Sequence, residues 1–371
     1  MQTIKTDSLT NEEKISVLLG ELFQSFGYVR YSMTKFEEYS LYGENKDFLA
    51  NGNVITFLSG DGKMLALRPD VTLSILKNTN ATRTNSEKVF YIEKVYRYDK
   101  ETKSFKEISQ AGVEMLGNVD RASIAEIVVM ALNSLAALSD DFVLDISNIS
   151  FVKGMFDGYD IDMSLRRTLT KFLKDKNLHE VDNLVSQNVI GNAFATAFKS
   201  LISISDKPAV ALNKMKQLII TDEMQKAYDE MKELFDVLSS GKDTDKIRID
   251  FSVESDFNYY TDIVFCGYIA EMPKAVLKGG RYDALAYKMK KDIGALGFAV
   301  YVGDAANVRH SKPKAITVIL SDGDTKGVFE AAQKLRAKGE RVRIARNMPK
   351  DVAIYKIYRY EAGKLTEVKN D

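Results

Sequence analysis

One cysteine and two histidines in 371 residues remove much chemistry at the outset. Cys266 alone cannot form an internal disulfide, and with only His179 and His310 beside it no zinc cluster is expected. Histidine is the usual group that titrates near neutrality, so its scarcity also narrows acid–base schemes. Both histidines sit in polar, helix-like or linker-like contexts and read as surface residues. No charge of either sign is in excess: lysine plus arginine and aspartate plus glutamate are 52 each. Nucleic acid is therefore not expected as the main ligand, because non-specific affinity for it comes from neutralised phosphates. No stretch reaches the ~18 consecutive apolar residues of a membrane span, and the opening MQTIKTDSLTNEEK has no apolar signal region. The expectation is a cytoplasmic chain with no membrane contact. Glycine-rich phosphate cradles are missing too, neither GxxxxGK[ST] nor GxGxxG occurring in the right context.

What remains is an ordinary globular composition, 45% apolar and 28% charged, long enough for two or three domains. LTNEEKISVLLGELFQSFG carries an apolar stripe at Ile15, Leu18, Leu19, Leu22, Phe23 and Phe26. Thr10 and Glu13 are spaced as a capping box and Gly27 is the stop. KVFYIEKVYRYD and ISQAGVEMLG, joined by a polar turn, predict a long hairpin. Asp120 caps the helix RASIAEIVVMALNSLAAL, and DFVLDIS follows as a strand. From 151 to 245 the periodicity is helical throughout, which suggests an insertion. KIRIDFSV alternates at Ile247, Ile249, Phe251 and Val253, and with SDFNYYTDIVF, KAVLKGGRYDAL and GALGFAVYVG it predicts a return to a largely antiparallel sheet. After the polar, proline-containing NVRHSKPK, the last 60 or so residues spell strand, helix, strand.

Three stretches in order, LALRPDVT (65–72), VYRYDKETKSFKEISQAGVEMLG (95–117) and YYTDIVF…LKGGRYDAL…GALGFAV (259–300), resemble class II aminoacyl-tRNA synthetases of the histidyl type. The resemblance covers roughly residues 10 to 305. In isolation each stretch has a plainer reading. RPDVT is a helix start with Asp70 on the dipole, QAGVE is a half-exposed strand, KGGRYD is a turn, and Tyr259 and Tyr260 are core and rim aromatics. Order, spacing and chemistry together favour the family. The fold it implies is α+β: an antiparallel sheet flanked by helices over 1–150 and 246–308. A helical insertion at 151–245 and a small α/β domain at 312–371, resembling a truncated anticodon-binding domain, complete it.

Polar residues in these stretches suit a small zwitterion bearing an imidazole. Asp70, Thr72 and Gln110 can receive an α-ammonium, while Glu114 and Tyr260 can grip ring nitrogens. Gln110 and Glu114, four apart on a strand, share a face. By resemblance these positions, with Tyr259, are histidine-binding, and Arg97 is the retained arginine of the second motif. The resemblance also marks what has gone. Ser255, followed by Asp256, stands where the family has a catalytic arginine, and Asp304 stands where a second arginine neutralises ATP. Thr34 replaces a proline of the dimer interface. Loss of one such electrostatic donor typically costs ~10² to 10³ in rate, so no catalytic residue is assigned and adenylate formation is not expected.

That pattern is similar to the regulatory subunits of ATP phosphoribosyltransferase. It implies a subunit without cofactor or metal that binds L-histidine for feedback inhibition in the first step of histidine biosynthesis. The partner it implies is the short catalytic subunit, in a hetero-oligomer of hetero-octamer type, with a homodimer through the synthetase-like domain and no tRNA. An active histidyl-tRNA synthetase and a stand-alone histidine-binding paralogue are the alternatives.

Overall fold

Thr10 and Glu13 close the capping box that their spacing predicts, each side chain bonding the other's backbone N–H. Helix α1 (Asn11–Ser25) follows, burying Ile15, Leu19 and Phe23. It ends before Gly27, whose φ of 82° only glycine adopts at no steric cost. The computed structural model describes residues 9–49, 53–99, 102–239, 241, 243–253, 259–308, 316–321, 325–349, 354–361 and 363–368. They fall into two units, Met1–Arg309 and His310–Asp371.

In the first unit, β1 (Val29–Arg30) leads into β2 (Phe36–Glu38), α2 (Tyr39–Gly43) and a 3₁₀ turn, Lys46–Phe48. Then come β3 (Thr56–Leu58), β4 (Met64–Leu67) and α3 (Thr72–Asn78). The long hairpin is β5 (Glu87–Asp99) and β6 (Ser104–Gly117). Asp120 caps α4 (Arg121–Leu138), its Oδ1 accepting from the Ser123 N–H at 2.9 Å, and β7 (Phe142–Asn148) follows. By length and composition α4 passes as a membrane-crossing helix, yet ten of its side chains are buried in this unit's core.

The helical stretch comprises α5 (Ile149–Gly158), α6 (Met163–Lys174), α7 (Leu178–Ser186) and α8 (Asn192–Ile202). The short β8 (Ser205–Asp206), α9 (Pro208–Lys216) and α10 (Asp222–Leu238) complete it. The sheet resumes with β9 (Ile247–Asp250), β10 (Ile263–Ile269) and β11 (Leu277–Arg281). After α11 (Asp283–Lys288) come β12 (Gly294–Tyr301) and α12 (Val302–Val308). Nine strands join in the order β1-β5-β6-β12-β11-β10-β7-β9-β8, and β2-β4-β3 form a separate small sheet.

The centre of the large sheet, β5 through β7, is antiparallel, while β1 on β5 and β9 on β7 run parallel. Alternation along β6 divides the molecule. Ala111 and Val113 face the main apolar core with α1, α4 and the helical stretch, and Gln110, Glu114 and Leu116 face the other side. This is an α+β architecture built on a mostly antiparallel sheet.

Two local expectations change and one stands. The alternation from Ile247 to Val253 does not give one strand. Asp250 Oδ1 accepts from the Ser252 N–H at 2.8 Å and from its hydroxyl at 2.6 Å, and this local bonding turns the chain after Asp250. Tyr259 and Tyr260 lie before β10, outside any strand. The return to the sheet expected at KAVLKGGRYDAL stands over Leu277–Arg281, and its glycines serve close approach rather than the turn that KGGRYD suggests in isolation. A Cβ at Gly279 would meet Phe298 Cβ at 2.4 Å, and one at Gly280 would meet the Ile263 carbonyl at 2.6 Å.

The second unit contains β13 (Ile316–Leu320), α13 (Thr325–Ala337), β14 (Val342–Ala345), β15 (Ile354–Glu361) and β16 (Lys364–Val368). Its sheet order is β14-β13-β15-β16. Strand, helix, strand is as read from the sequence, and the antiparallel β15–β16 pair extends it.

Candidate functional site

The sheet face opposite the main core carries a cavity of about 1000 Å³ in the first unit. All seven sequence-derived site residues, Asp70, Thr72, Arg97, Gln110, Glu114, Tyr259 and Tyr260, line it. Asp70 comes from the loop before α3, Thr72 from its first turn, Arg97 from β5, and Gln110 and Glu114 from β6. Neighbouring strands supply the rest of the floor: Gln110 is paired in register with Tyr301 of β12, and Glu114 with Gly297.

Gly297 and Gly112 make room for side chains rather than for a turn. A Cβ at Gly297 would stand 2.0 Å from Glu114 Oε2, so only glycine leaves space for the carboxylate. Gly112 lies between Gln110 and Glu114 on the same face, and a Cβ there would come within 2.5 Å of the Tyr91 ring. Tyr91 thus lies across the floor.

Glu114 is 3% exposed and fully partnered. Thr72 donates its hydroxyl to Oε1 at 2.7 Å, and Tyr282 donates to Oε2. Burial pushes this carboxyl up to about 8 despite the two donors, and the charge of Asp70 adds to the rise. Asp70 is also raised, burial outweighing the opposing pull of Arg97 and of the Leu73 and Thr72 N–H groups. Its Oδ1 accepts from the Leu73 N–H at 2.9 Å, so it starts α3 and faces the cavity at once.

Arg97 Nη2 stands 3.5 Å from Asp70 Oδ2, and its Nε donates to the Pro69 carbonyl at 2.8 Å. A carboxylate and a guanidinium therefore sit side by side, a complement to a zwitterion's ammonium and carboxylate.

An aromatic group closes this end. The Tyr259 and Tyr260 rings meet edge-on at 4.7 Å between centroids, and Tyr259 lies 5.6 Å from Tyr282 and 6.0 Å from Phe48. Burial holds the Tyr259 and Tyr282 phenols well above their usual range, with Asp70 adding at Tyr259 and Glu114 at Tyr282, so both are neutral. Tyr260 is held protonated likewise, burial being the main cause.

Tyr91 and Tyr282 are the residues that sequence reasoning missed. Tyr282 stands inside the quoted KGGRYD, but the motif alone gives its side chain no direction. His179 is exposed on α7 and does not line the cavity, while His310, Ser255 and Asp256 lie outside the described residues. Asp304 is exposed on α12 and is not part of the cavity wall. Among the described residues no three His, Cys, Asp or Glu side chains are placed to hold a metal ion.

The family model described as Histidyl-tRNA synthetase matches residues 2–305. The chain belongs to the histidyl-tRNA synthetase family. Curated relatives similar to it include ATP phosphoribosyltransferase regulatory subunits. The one from Thermoanaerobacter sp. (strain X514) is 29% identical over 78% of this chain and 77% of the relative. The one from Caldanaerobacter subterraneus subsp. tengcongensis is 28% identical over 86% of each. Solved structures share the fold. An ATP phosphoribosyltransferase regulatory subunit/histidyl-tRNA synthetase from Bacillus halodurans superposes with a TM-score of 0.75 at 24% identity, covering 93% of this chain and 90% of that one. A chain of the ATP phosphoribosyl transferase (HisG:HisZ) complex from Thermotoga maritima gives 0.62 at 15%, covering 81% and 98%. The class II synthetase-like α+β fold expected from the sequence is the fold of these family members.

Proposed function

We propose that this chain is a regulatory, non-catalytic subunit of ATP phosphoribosyltransferase, a cytoplasmic protein that binds L-histidine in the cavity and passes its occupancy to a short catalytic partner. The observation that carries the ligand assignment is Glu114, a buried carboxyl over Gly297, held by Thr72 and Tyr282 at the closed end of the cavity. Only a ligand with a proton to share stabilises its charged form there, and an imidazole has one. Asp70 with Gln110 receives the ammonium, Arg97 the carboxylate, Tyr260 grips a ring nitrogen with Glu114, and Tyr259 packs beside the ring. The names of the curated relatives support the regulatory role.

The proposed mechanism is a difference in affinity. If histidine prefers the arrangement in which the partner is inactive by ~1 to 3 kcal/mol, it inhibits, and the partner's substrates weaken histidine in return. A homodimer, as in the proposed hetero-octamer, fits the exposed apolar side chains of the small sheet, where Phe36, Leu58 and Met64 are 50%, 70% and 50% exposed.

Calorimetry with a panel of amino acids tests the ligand. Histidine should bind alone among them, and an equal response to other amino acids would refute the assignment. Histidine-dependent exchange of pyrophosphate into ATP would replace the regulatory reading with a synthetase.

A further inference from the structure

Tyr259 and Tyr260 stand outside any strand, so no strand ladder fixes this wall of the pocket. The groups that hold it lie on the other face of the sheet. At the end of β11, Lys278 and Tyr282 line the cavity, and a Cβ at Gly280 would come within 2.7 Å of the Tyr260 ring. Arg281, between Gly280 and Tyr282, alternates to the opposite face and is not part of the cavity wall.

There its guanidinium joins two acids from separate pieces of chain. Nε and Nη2 reach Asp283 Oδ2 at 2.9 and 2.8 Å, and Nη1 stands 3.6 Å from Asp262 Oδ2. Asp283 opens α11 directly after Tyr282, and its Oδ1 accepts from the Ala295 N–H of β12 at 2.8 Å. Asp262 follows Tyr260 by two residues. Its Oδ1 accepts from the Ser150 hydroxyl at 2.7 Å and its carbonyl from the Ile149 N–H at 2.8 Å, which seats it on the first turn of α5. Thr261 closes the joint: its N–H donates to the Arg281 carbonyl at 2.8 Å, and its hydroxyl oxygen accepts from the Asp283 N–H at 3.2 Å. Tyr260 and Tyr282 thus each sit one or two residues from a carboxylate that the same guanidinium holds. A third acid faces it from α10, Glu230, whose carboxyl is raised by burial first and by the charge of Asp262 second. Loss of the guanidinium would leave partly buried acids facing one another uncompensated.

We propose that Arg281 is a positioning residue of the amino-acid pocket, setting Tyr260 and Tyr282 at its Glu114 end from behind the sheet without touching the ligand. The inference rests on the histidine-binding reading of that pocket. Arginine suits the task because one planar fork spans both carboxylates, whereas lysine offers a single point charge. Tyrosines fixed in advance spare the ligand the cost of ordering them, so the effect falls on affinity.

The test compares the full chain with Arg281→Gln and Arg281→Lys, by histidine calorimetry and by fluorine NMR of fluorotyrosine-labelled protein. Phenylalanine variants identify the Tyr260 and Tyr282 signals. Arg281→Gln should weaken histidine at least about tenfold, as for loss of one charge-assisted contact. It should also shift or broaden the Tyr260 and Tyr282 signals while that of Tyr358, on β15 of the second unit, stays. Arg281→Lys keeps the charge and should lie between the two in both readouts, which decides the matter if Arg281→Gln does not fold. Arg248→Gln removes a guanidinium that bonds Asp145 twice at 2.8 Å between β9 and β7, away from the cavity. It should leave affinity and both signals unchanged. Equal losses in Arg281→Gln and Arg248→Gln, weakened affinity with both tyrosine signals unmoved, or wild-type behaviour of the Arg281 variants would each overturn the proposal. A wild-type chain that binds no histidine refutes the ligand reading instead, and the tyrosine signals alone then decide the role of Arg281.

Discussion

Glu114 must account for its proton when a ligand arrives, and that requirement fixes a pH profile. In the unliganded chain burial pushes its carboxyl up to about 8, so at pH 7 it carries a proton. A free imidazole carries one below about pH 6.5. The proposed complex, carboxylate against imidazolium, holds one proton between the two groups. Between about pH 6.5 and 8 the separate partners bring that one proton, and none is exchanged. Below that range they bring two and must lose one; above it they bring none and must capture one. Affinity for histidine should therefore be flat across the window and fall about tenfold per pH unit on either side, which is about 1.4 kcal/mol per unit.

Glu114→Gln removes the proton from this balance and a charge-assisted bond of roughly 1.5–3 kcal/mol. The ratio of wild-type to variant affinity, from calorimetry, cancels the titration of the ligand's own amine. It should be about 10- to 100-fold near pH 7 and shrink by about tenfold per unit above pH 8. A ratio constant from pH 7 to 9.5 would refute the reasoning, because Glu114 would then exchange no proton with the bound ring.

Two further outcomes follow from the same geometry. The folded-state carboxyl of Glu114 lies above its unfolded value of 4.5, so the folded chain holds the extra proton between about pH 4.5 and 8. Wild-type stability should fall relative to Glu114→Gln as pH rises through that window, by a ceiling on the order of 5 kcal/mol. Thermal unfolding of both chains at pH 5 and pH 8.5 measures the difference, and parallel curves would contradict it. Gly297→Ala sets a Cβ 2.0 Å from Glu114 Oε2 and 2.3 Å from the Val113 carbonyl. It should cost about 1–3 kcal/mol of stability and abolish histidine binding in calorimetry, whereas retained affinity would show that the carboxylate is not held there.

The parts of this molecule legible in the sequence are those fixed by local chemistry. The capping box of Thr10 and Glu13, the Asp120 cap and the β5–β6 hairpin depend on neighbours a few residues away, and all three stand as read. The four-residue spacing of Gln110 and Glu114 placed both on one face because β6 is regular there. Long-range packing hid the rest. KGGRYD carries turn residues, but its glycines answer to Phe298 and Ile263 across the sheet, which no local rule reports. Tyr282 and Tyr91 meet Glu114 and Gly112 only through strand pairing. Asp250 ended a strand that alternation had extended to Val253, a side-chain bond defeating a periodic signal.

The central claim is that occupancy of this cavity controls a catalytic partner. Its most direct measurement is the turnover of a short-form ATP phosphoribosyltransferase catalytic subunit, with and without this chain, over a histidine titration. The account predicts that the two proteins co-elute, that the chain raises turnover, and that histidine lowers it with the wild type but not with Glu114→Gln. Turnover indifferent to the chain, or inhibition identical with both forms, would contradict it.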